Sequence, residues 1–255
     1  LEALHLMAYG RSFRGRVRDG LVREHALAVE VFLEWEEGTP SGAQVQHRAG
    51  LRHSGQAWSG RLDGSDVAHL GQLCAALAVV TFEPGSHALI SGGAENRRRF
   101  LDWGLFHVEP GFLPLWRRYA RALKQRNVLL KSGGGNAQLD AWDHELAESG
   151  ESLTVFRERY LADLAPGAGR VARQLTAGVE VLGLDFQPGW RRQEVSLADA
   201  LLLGRDRDRQ NGHTGVGPHR ADWAVQLAGV PGREALSRGQ TKLTALAMLL
   251  AQAGD

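Results

Sequence analysis

The feature that most limits the fold is a switch of hydrophobic period near Asn96. Upstream, "HALAVEVFLEWEE" from His25 alternates Leu27, Val29, Val31, Leu33 and Trp35 on one side, the two-residue period of a half-buried strand. Downstream, Phe112, Leu115, Trp116, Tyr119, Leu123 and Leu130 recur at helical spacing, and beside them Arg117, Arg121 and Lys124 line up at i, i+4 and i+7. Strand character returns in "VEVLGLDFQPGW" and "ADWAVQLAG", and the chain closes on a helical run, "LSRGQTKLTALAMLL". Strands, a helical insertion, strands and a final helix predict an α/β lobe, residues 1–95 and 212–255, interrupted by a mainly helical lobe, residues 96–211.

Within that frame, "LEALHLMAY" reads as a helix ended by Gly10, and residues 43–62 as short strands with "LDGSD" as a turn. "VVTFEPG", Val79 to Gly85, reads as a buried strand running into a loop. "KSGGGNAQ" is a loop before an acidic helix that begins near Asp140 and runs toward Asp163 with a break at Ser149 to Ser152, the two helices forming a hairpin of opposite surface charge. A further helix runs to about Ala177, "SLADALLLGRDRDRQ" is a short helix, and "GVPG" is a turn. The absence of a fixed period disfavours a solenoid.

At 255 residues, 43% hydrophobic and 23% charged, the chain has the composition of a folded domain or two. Its single cysteine, Cys74, excludes an internal disulfide or a thiol-rich metal cluster and suits a reducing cytosol. No apolar run approaches the roughly 20 residues needed to cross a bilayer, and no signal peptide is present, so no membrane role is expected. The sequence begins with Leu1 rather than Met and stops at Asp255 inside a helical pattern, and both ends read as cut. Net charge is +1, yet lysine occurs only at 124, 131 and 242, so arginine dominates the 30 cations. Arginine is the better bidentate phosphate ligand, although a coding bias produces the same composition.

The most suggestive chemistry lies in "LSRGQTKL". Ser237 is a good N-cap and Gly239 lets another group approach the backbone, which makes the start of this helix a natural phosphate site. The rest of a nucleotide site is missing from the sequence. No G-x-x-x-x-G-K-[ST] occurs: in "KSGGGN" the lysine precedes the glycines and the flanks are helical. "VFLEWEE" superficially resembles a Walker B strand, but its alternation turns Glu34 and Glu36 away from the buried face. The ten histidines show no metal-ligand spacing, and no G-x-S-x-G elbow is present. Three arginine groups remain: Arg11, Arg14, Arg16 and Arg18 in "GRSFRGRVR"; Arg97, Arg98 and Arg99 in "ENRRRFLDW"; and Arg205, Arg207 and Arg209 in "GRDRDRQ". The third alternates with aspartates and reads as a solvated face. The first two lack such balance and are the better phosphate contacts.

Three long stretches, "SGGAENRRRFLDWGLFHVEPGFLPLWRRYARALKQRN", "TGVGPHRADW" and "LSRGQTKL", occur in this order and resemble the RecF family of bacterial DNA replication and repair proteins, relatives of the SMC and Rad50 ATPases. The resemblance implies an α/β fold: an ABC-ATPase-like (P-loop NTPase) head with mixed sheets, interrupted by an α-helical second lobe. It implies a cytoplasmic, weakly DNA-stimulated ATPase that uses ATP and Mg, dimerises with ATP and acts in the SOS response to DNA damage. Its partners would be single-stranded and gapped or junction DNA, and RecO and RecR, with which it would load RecA. Ser237, Arg238, Gly239 and Gln240 match the ABC signature and would contact ATP held by the opposite subunit. The DNA-binding candidates are Arg11, Arg14, Arg97, Arg98, Arg99, Arg117, Arg121 and Lys124.

The sequence departs from the family pattern in one respect: the P-loop is expected before Leu1 and the Walker B strand beyond Asp255, so the chain reads as an internal fragment with no complete catalytic set and no metal site. "TFEPGSHALISGG" takes the place of the Q-loop region with Glu83 as its polar residue, to which no metal role is given. His219 and Arg220 sit on a turn that reads equally well as structural. The alternatives are a non-enzymatic module whose helical hairpin docks a protein, and a fragment inactive on its own. One or two charge-assisted hydrogen bonds at the signature contribute roughly 1.5–3 kcal/mol each. A micromolar site needs about 8 kcal/mol. The 255-residue chain alone is therefore expected to bind ATP too weakly for calorimetry to detect, and a micromolar affinity refutes this.

Overall fold

The computed structural model describes residues 1–13, 15–38, 42–175, 180–229 and 236–254. The chain divides into two compact units, Leu1–Thr81 and Phe82–Asp255. The lobe limits read from the sequence, 95/96 and 211/212, both fall inside the second unit.

The first unit begins with α1 (Glu2–Tyr9), whose chain turns at Gly10 with φ 64 while the Gly10 N–H closes on the Leu6 carbonyl. A Cβ at Gly10 would meet Leu70 Cδ2 at 2.6 Å, so both hand and space demand glycine. After the single turn α2 (Val17–Gly20) come β1 (Val29–Gly38), β2 (Gln44–His53), β3 (Trp58–Leu62) and β4 (Ser65–Asp66), an antiparallel meander in that order, with α3 (Leu70–Ala76) behind it. Asp63 and Gly64, both at positive φ, make the two-residue turn expected of "LDGSD". From Val29 onward the period-2 alternation holds: Val31, Ala49 and Leu51 turn inward onto Leu6, Met7, Val17 and Leu73, while Glu30, Phe32, Glu34 and Glu36 face solvent. Leu27 is a correction: it lies ahead of β1, where no pairing turns it inward, and it is 81% exposed. Val79 to Gly85 is not a strand. Its residues are irregular and at most half-buried, since no neighbouring strand among the described residues takes up their backbone groups.

The second unit contains α4 (Ala88–Ser91), α5 (Ala94–Val108), α6 (Phe112–Ser132), α7 (Asn136–Leu175), β5 (Val181–Gln187), α8 (Leu197–Leu203), α9 (Arg205–Asn211), a 3-10 turn at Pro218–Arg220, β6 (Asp222–Leu227) and α10 (Arg238–Gly254). One core joins Leu101 and Leu105 of α5, Tyr119 of α6, Leu153 and Leu161 of α7, Trp223 of β6 and Met248 of α10. β5 and β6 pair antiparallel, as do the strands of the first unit, so the expectation of mixed sheets is corrected to antiparallel pairing throughout the described residues. No helix of the described residues is long and apolar enough to cross a membrane.

The second hairpin helix differs from the expectation. α7 is a single helix of 40 residues that begins at Asn136 rather than near Asp140, has no break at Ser149 to Ser152, and runs on past Asp163 to Leu175, so the further helix expected there is part of the same rod. Ser149, Ser152 and Thr154 turn their hydroxyls onto the carbonyls of Glu145, Glu148 and Gly150, one turn back, so they do not unwind the backbone. Gly150 is a packing contact and not a breaker: a Cβ there would lie 2.5 Å from Leu197 Cδ2. Pro166 is accommodated inside the helix because buried Leu164, Ala168 and Ala172 clamp the turns on either side of it. The helix end expected near Ala177 and most of the "GVPG" turn lie outside the described residues.

A second correction concerns "GRDRDRQ", read as a solvated face. α9 turns Asp208 fully inward, where it accepts from Arg126 Nη1 at 2.7 Å. Arg126 is itself 0% exposed and also donates to Thr214 Oγ1 at 3.0 Å and to Asp143. Arg205 reaches Asp140 and Asp143 at 2.6 Å, and Arg209 donates to the Gly134 carbonyl at 3.0 Å. Alternating charge therefore stitches α9 to α6 and α7. Arg126→Leu would leave the buried Asp208 without a cation and Asp143 with Arg205 alone, and is expected to destabilise the protein by about 3–5 kcal/mol. Arg61→Gln removes only the exposed Arg61–Asp66 pair, at a cost below about 1 kcal/mol, and urea denaturation of the two variants checks the contrast.

Candidate functional site

The helix α10 begins at the stretch singled out in the sequence. Ser237 Oγ accepts from the Gln240 N–H at 3.2 Å, and Gln240 Oε1 accepts from the Ser237 N–H at 2.9 Å, a reciprocal capping box. Thr241 and Thr244 turn their hydroxyls back onto the Ser237 and Gln240 carbonyls at 3.0 and 2.8 Å. Thr244, Ala245, Ala247 and Met248 below them are fully buried and seat the helix on the core. Ser237, Arg238 and Gly239 remain exposed. A Cβ built on Gly239 finds only Ser237 Oγ, 4.0 Å away, so a phosphate-sized group can approach the backbone here. The first N–H groups of a helix have no partner within it, and the helix dipole adds partial positive charge at this end. Gln240 thus positions Ser237, while Ser237, Arg238 and Gly239 form the exposed surface of the helix start. Glu234 and Ala235, just before it, lie outside the described residues.

The "GPHRADW" stretch leads from the 3-10 turn into β6 and is held from three helices. Arg157 of α7, 3% exposed, donates to the Pro218 carbonyl at 2.7 Å and grips both oxygens of Asp102 at 2.8 Å. Arg98 of α5 donates to the Ala221 carbonyl at 2.7 Å. Arg97 Nη2 donates to Asp222 Oδ2 at 2.9 Å, its Nε reaches the other oxygen, and its backbone carbonyl accepts from the Trp223 indole at 2.9 Å. His219 Nε2 lies 3.0 Å from the Thr214 carbonyl, an acceptor only, so Nε2 carries the proton and Nδ1 accepts from the Tyr119 hydroxyl at 2.7 Å. Burial pushes His219 down to about 4, which agrees with a neutral ring. His219 is thereby a structural part of the turn. Arg220 beside it is exposed.

The arginine candidates separate sharply. Arg97 is a correction: at 2% exposure, with its guanidinium committed to Asp222 and to the Gly92 carbonyl at 2.7 Å, it is not free to meet a phosphate. Arg98 is half-buried on the Ala221 carbonyl, and Arg99 is exposed but paired with Glu95 one turn away. The group therefore does not lack balancing acids: Glu95, in the same stretch, pairs with Arg99, and Asp222, 125 residues distant in sequence, pairs with Arg97. Arg11 is exposed, and Arg14 lies outside the described residues. Arg117, Arg121 and Lys124 all project from α6 into solvent. Lys131, which the sequence reading left in the "KSGGGN" loop, stands on the same helix and is exposed. Extending the i, i+4, i+7 series by one more heptad from Lys124 reaches it.

No protein-family model matches the chain. Among curated proteins, the DNA replication and repair protein RecF of Xanthomonas euvesicatoria pv. vesicatoria is 69% identical over 255 residues, all of this chain and 69% of that relative. The protein of the same description from Stenotrophomonas maltophilia is 68% identical over 255 residues, 70% of its length. The one from Thioalkalivibrio sulfidiphilus is 37% identical over 99% of this chain and 69% of its own. Two solved structures of the recombination mediator protein RecF in the RecFOR pathway, described as RecF-ATPrS and RecF-ATP, superpose with TM-scores of 0.84 and 0.80 over 98% of this chain, covering 70% and 69% of theirs. At 23% and 22% identity those two likenesses show the fold.

His219 gives its turn a pH signature. The ring is neutral in the fold, with a value lowered from 6.5 to about 4, so the unfolded chain binds the extra proton first as pH falls. Its contribution is complete above pH 6.5 and is lost as pH drops toward 4. His219→Gln is expected to flatten the denaturation midpoint across that window relative to wild type, and equal slopes for both proteins would contradict the assigned neutral ring.

Proposed function

Because the chain belongs to the RecF family of DNA replication and repair proteins, we propose that it forms the signature-bearing part of an ATP-dependent DNA-binding protein of recombinational repair and replication. In this reading residues 1–95 and 212–255 belong to an ABC-ATPase-like head and residues 96–211 to its helical lobe. Two copies close face to face, and each signature helix completes a nucleotide site whose P-loop belongs to the other copy. The partners are single-stranded and gapped DNA, together with RecO and RecR, and the outcome is the loading of RecA in the cytoplasm of a cell with damaged DNA. Support comes from the relatives' description as replication and repair proteins, and from the solved likenesses described as a recombination mediator with ATP.

The observation that carries the reading is the start of α10: a rigidly capped, exposed helix end whose backbone is open at Gly239. Bound ATP with Mg²⁺ supplies the triphosphate charge whose presence or loss distinguishes the closed pair from the open one. This chain's own part is to hold the terminal phosphate from the far side. Ser237 Oγ and the N–H groups of Arg238 and Gly239, at the exposed start of α10, serve that purpose, and the Arg238 guanidinium adds a full positive charge. Gln240 keeps Ser237 in register, and the buried threonines keep the helix from rotating. The 255-residue sequence contains no P-loop pattern, so hydrolysis is assigned to the full-length pair and not to these residues alone.

In the full-length protein, Ser237→Arg is expected to leave ATP binding by calorimetry unchanged while abolishing the ATP-dependent dimer in sedimentation velocity, because Ser237 serves the other copy's nucleotide. A Ser237→Arg protein that dimerises with ATP as wild type does sinks the reading.

A further inference from the structure

The six cations of α6 are not equivalent. The helix carries Arg117, Arg118, Arg121, Lys124, Arg126 and Lys131 and no acidic residue at all. Two of the six are consumed inside the fold: Arg118 grips Glu145 and Glu148 of α7, and Arg126 lies between Asp143 and Asp208. The other four, Arg117, Arg121, Lys124 and Lys131, are exposed, and none has a hydrogen-bond or ion-pair partner among the described residues. At about 100° per residue, these four and Val128 fall within about 40° of one line along the helix. That line lies opposite the buried face formed by Tyr119, Ala122, Arg126 and Leu130.

A solvated helix face ordinarily mixes signs so that charges at i and i+4 attract. Here Arg117 and Arg121 repel and Lys124 adds to the same field, while Glu145 of α7, already bound to Arg118, offsets Arg121 only from beyond ion-pair distance. The row is also held stiff. Arg209 fastens the turn after α6 through the Gly134 carbonyl and Asn136, and the Lys131 stem lies over Gly212, where a Cβ would sit 3.3 Å from Lys131 Cγ. Beside the row a shallow recess of about 380 Å³, lined by Ala120, Leu123, Asn127 and Val128 between the two lysines, offers an apolar floor.

We infer that this face of α6 is the track along which the protein holds a DNA phosphate backbone, with Arg117, Arg121, Lys124 and Lys131 as the contacts. The row is about 21 Å long, within reach of several consecutive phosphates of a strand that rises about 3.4 Å per phosphate. Contacts of this kind give affinity without base preference. The inference rests on the DNA-binding reading above, and it moves the contact surface away from Arg97, Arg98 and Arg99.

The test is fluorescence anisotropy of the full-length protein on a labelled gapped duplex between 50 and 200 mM salt. Each lost contact lowers the slope of log K against log salt by about 0.9 on duplex, so the Arg117→Gln/Arg121→Gln/Lys124→Gln/Lys131→Gln protein should lose about 3–4 of slope and at least 100-fold in affinity. Lys131→Gln alone, an exposed change that leaves folding intact, should lose about one unit of slope. Wild-type binding with an unchanged slope in both variants overturns the assignment of α6 and leaves the DNA-binding reading standing. No binding of the wild-type protein at any salt overturns both.

Discussion

Three buried arginines set the geometry of the second unit. Arg97, Arg126 and Arg157 come from α5, α6 and α7, and each faces a carboxylate brought from elsewhere in the chain: Asp222, Asp143 with Asp208, and Asp102. Burying such groups is costly unless nearly every donor and acceptor is matched, and here the leftover donors find the carbonyls of Gly92, Pro218 and Leu201. The segment from Thr214 to Ala221 has no regular structure beyond its single 3-10 turn, and these contacts fix its path. Its exit, in turn, fixes β6, Trp223 and the core on which α10 sits.

The same chemistry divides the arginines into two populations. Those with an acid or a carbonyl in reach are structural, whatever their charge suggests when read along the chain. Those on the outer face of α6 have no such partner among the described residues, and they keep their charge available to a polyanion. An arginine-rich composition is therefore a poor guide to phosphate binding until the pairing is known, because a guanidinium suits a buried carboxylate as well as it suits a phosphate.

Local features were readable from the sequence where short-range physics decides them. The alternation at Val29 to Trp35, the turn at Asp63–Gly64, the stop at Gly10 and the cap at Ser237 each depend on neighbours within a few residues, and each is present. What escaped depends on distant contacts. Ser149 to Ser152 resembles a break until Leu197 and Tyr119 are seen packed on Gly150. "GRDRDRQ" resembles a solvated face until Arg126 and Asp143 appear beneath it. Arg97 looked free because its partner, Asp222, lies on a strand more than a hundred residues later. Val79 to Gly85 has the apolar content of a strand, but a strand also needs a neighbour.

The length of α7 has a mechanical consequence. At 40 residues the helix is about 60 Å long, its early turns packed beside α6 and its last third, Ala168 and Ala172 included, in the cluster shared with α10 and β5. A stiff rod of that size is a lever: a tilt of about 5° at one end displaces the other by about 5 Å, on the order of one helical turn. Whatever presses on the outer hairpin is thereby carried, without any intervening loop to absorb it, to the turns of α10 around Ala247 and Ala251.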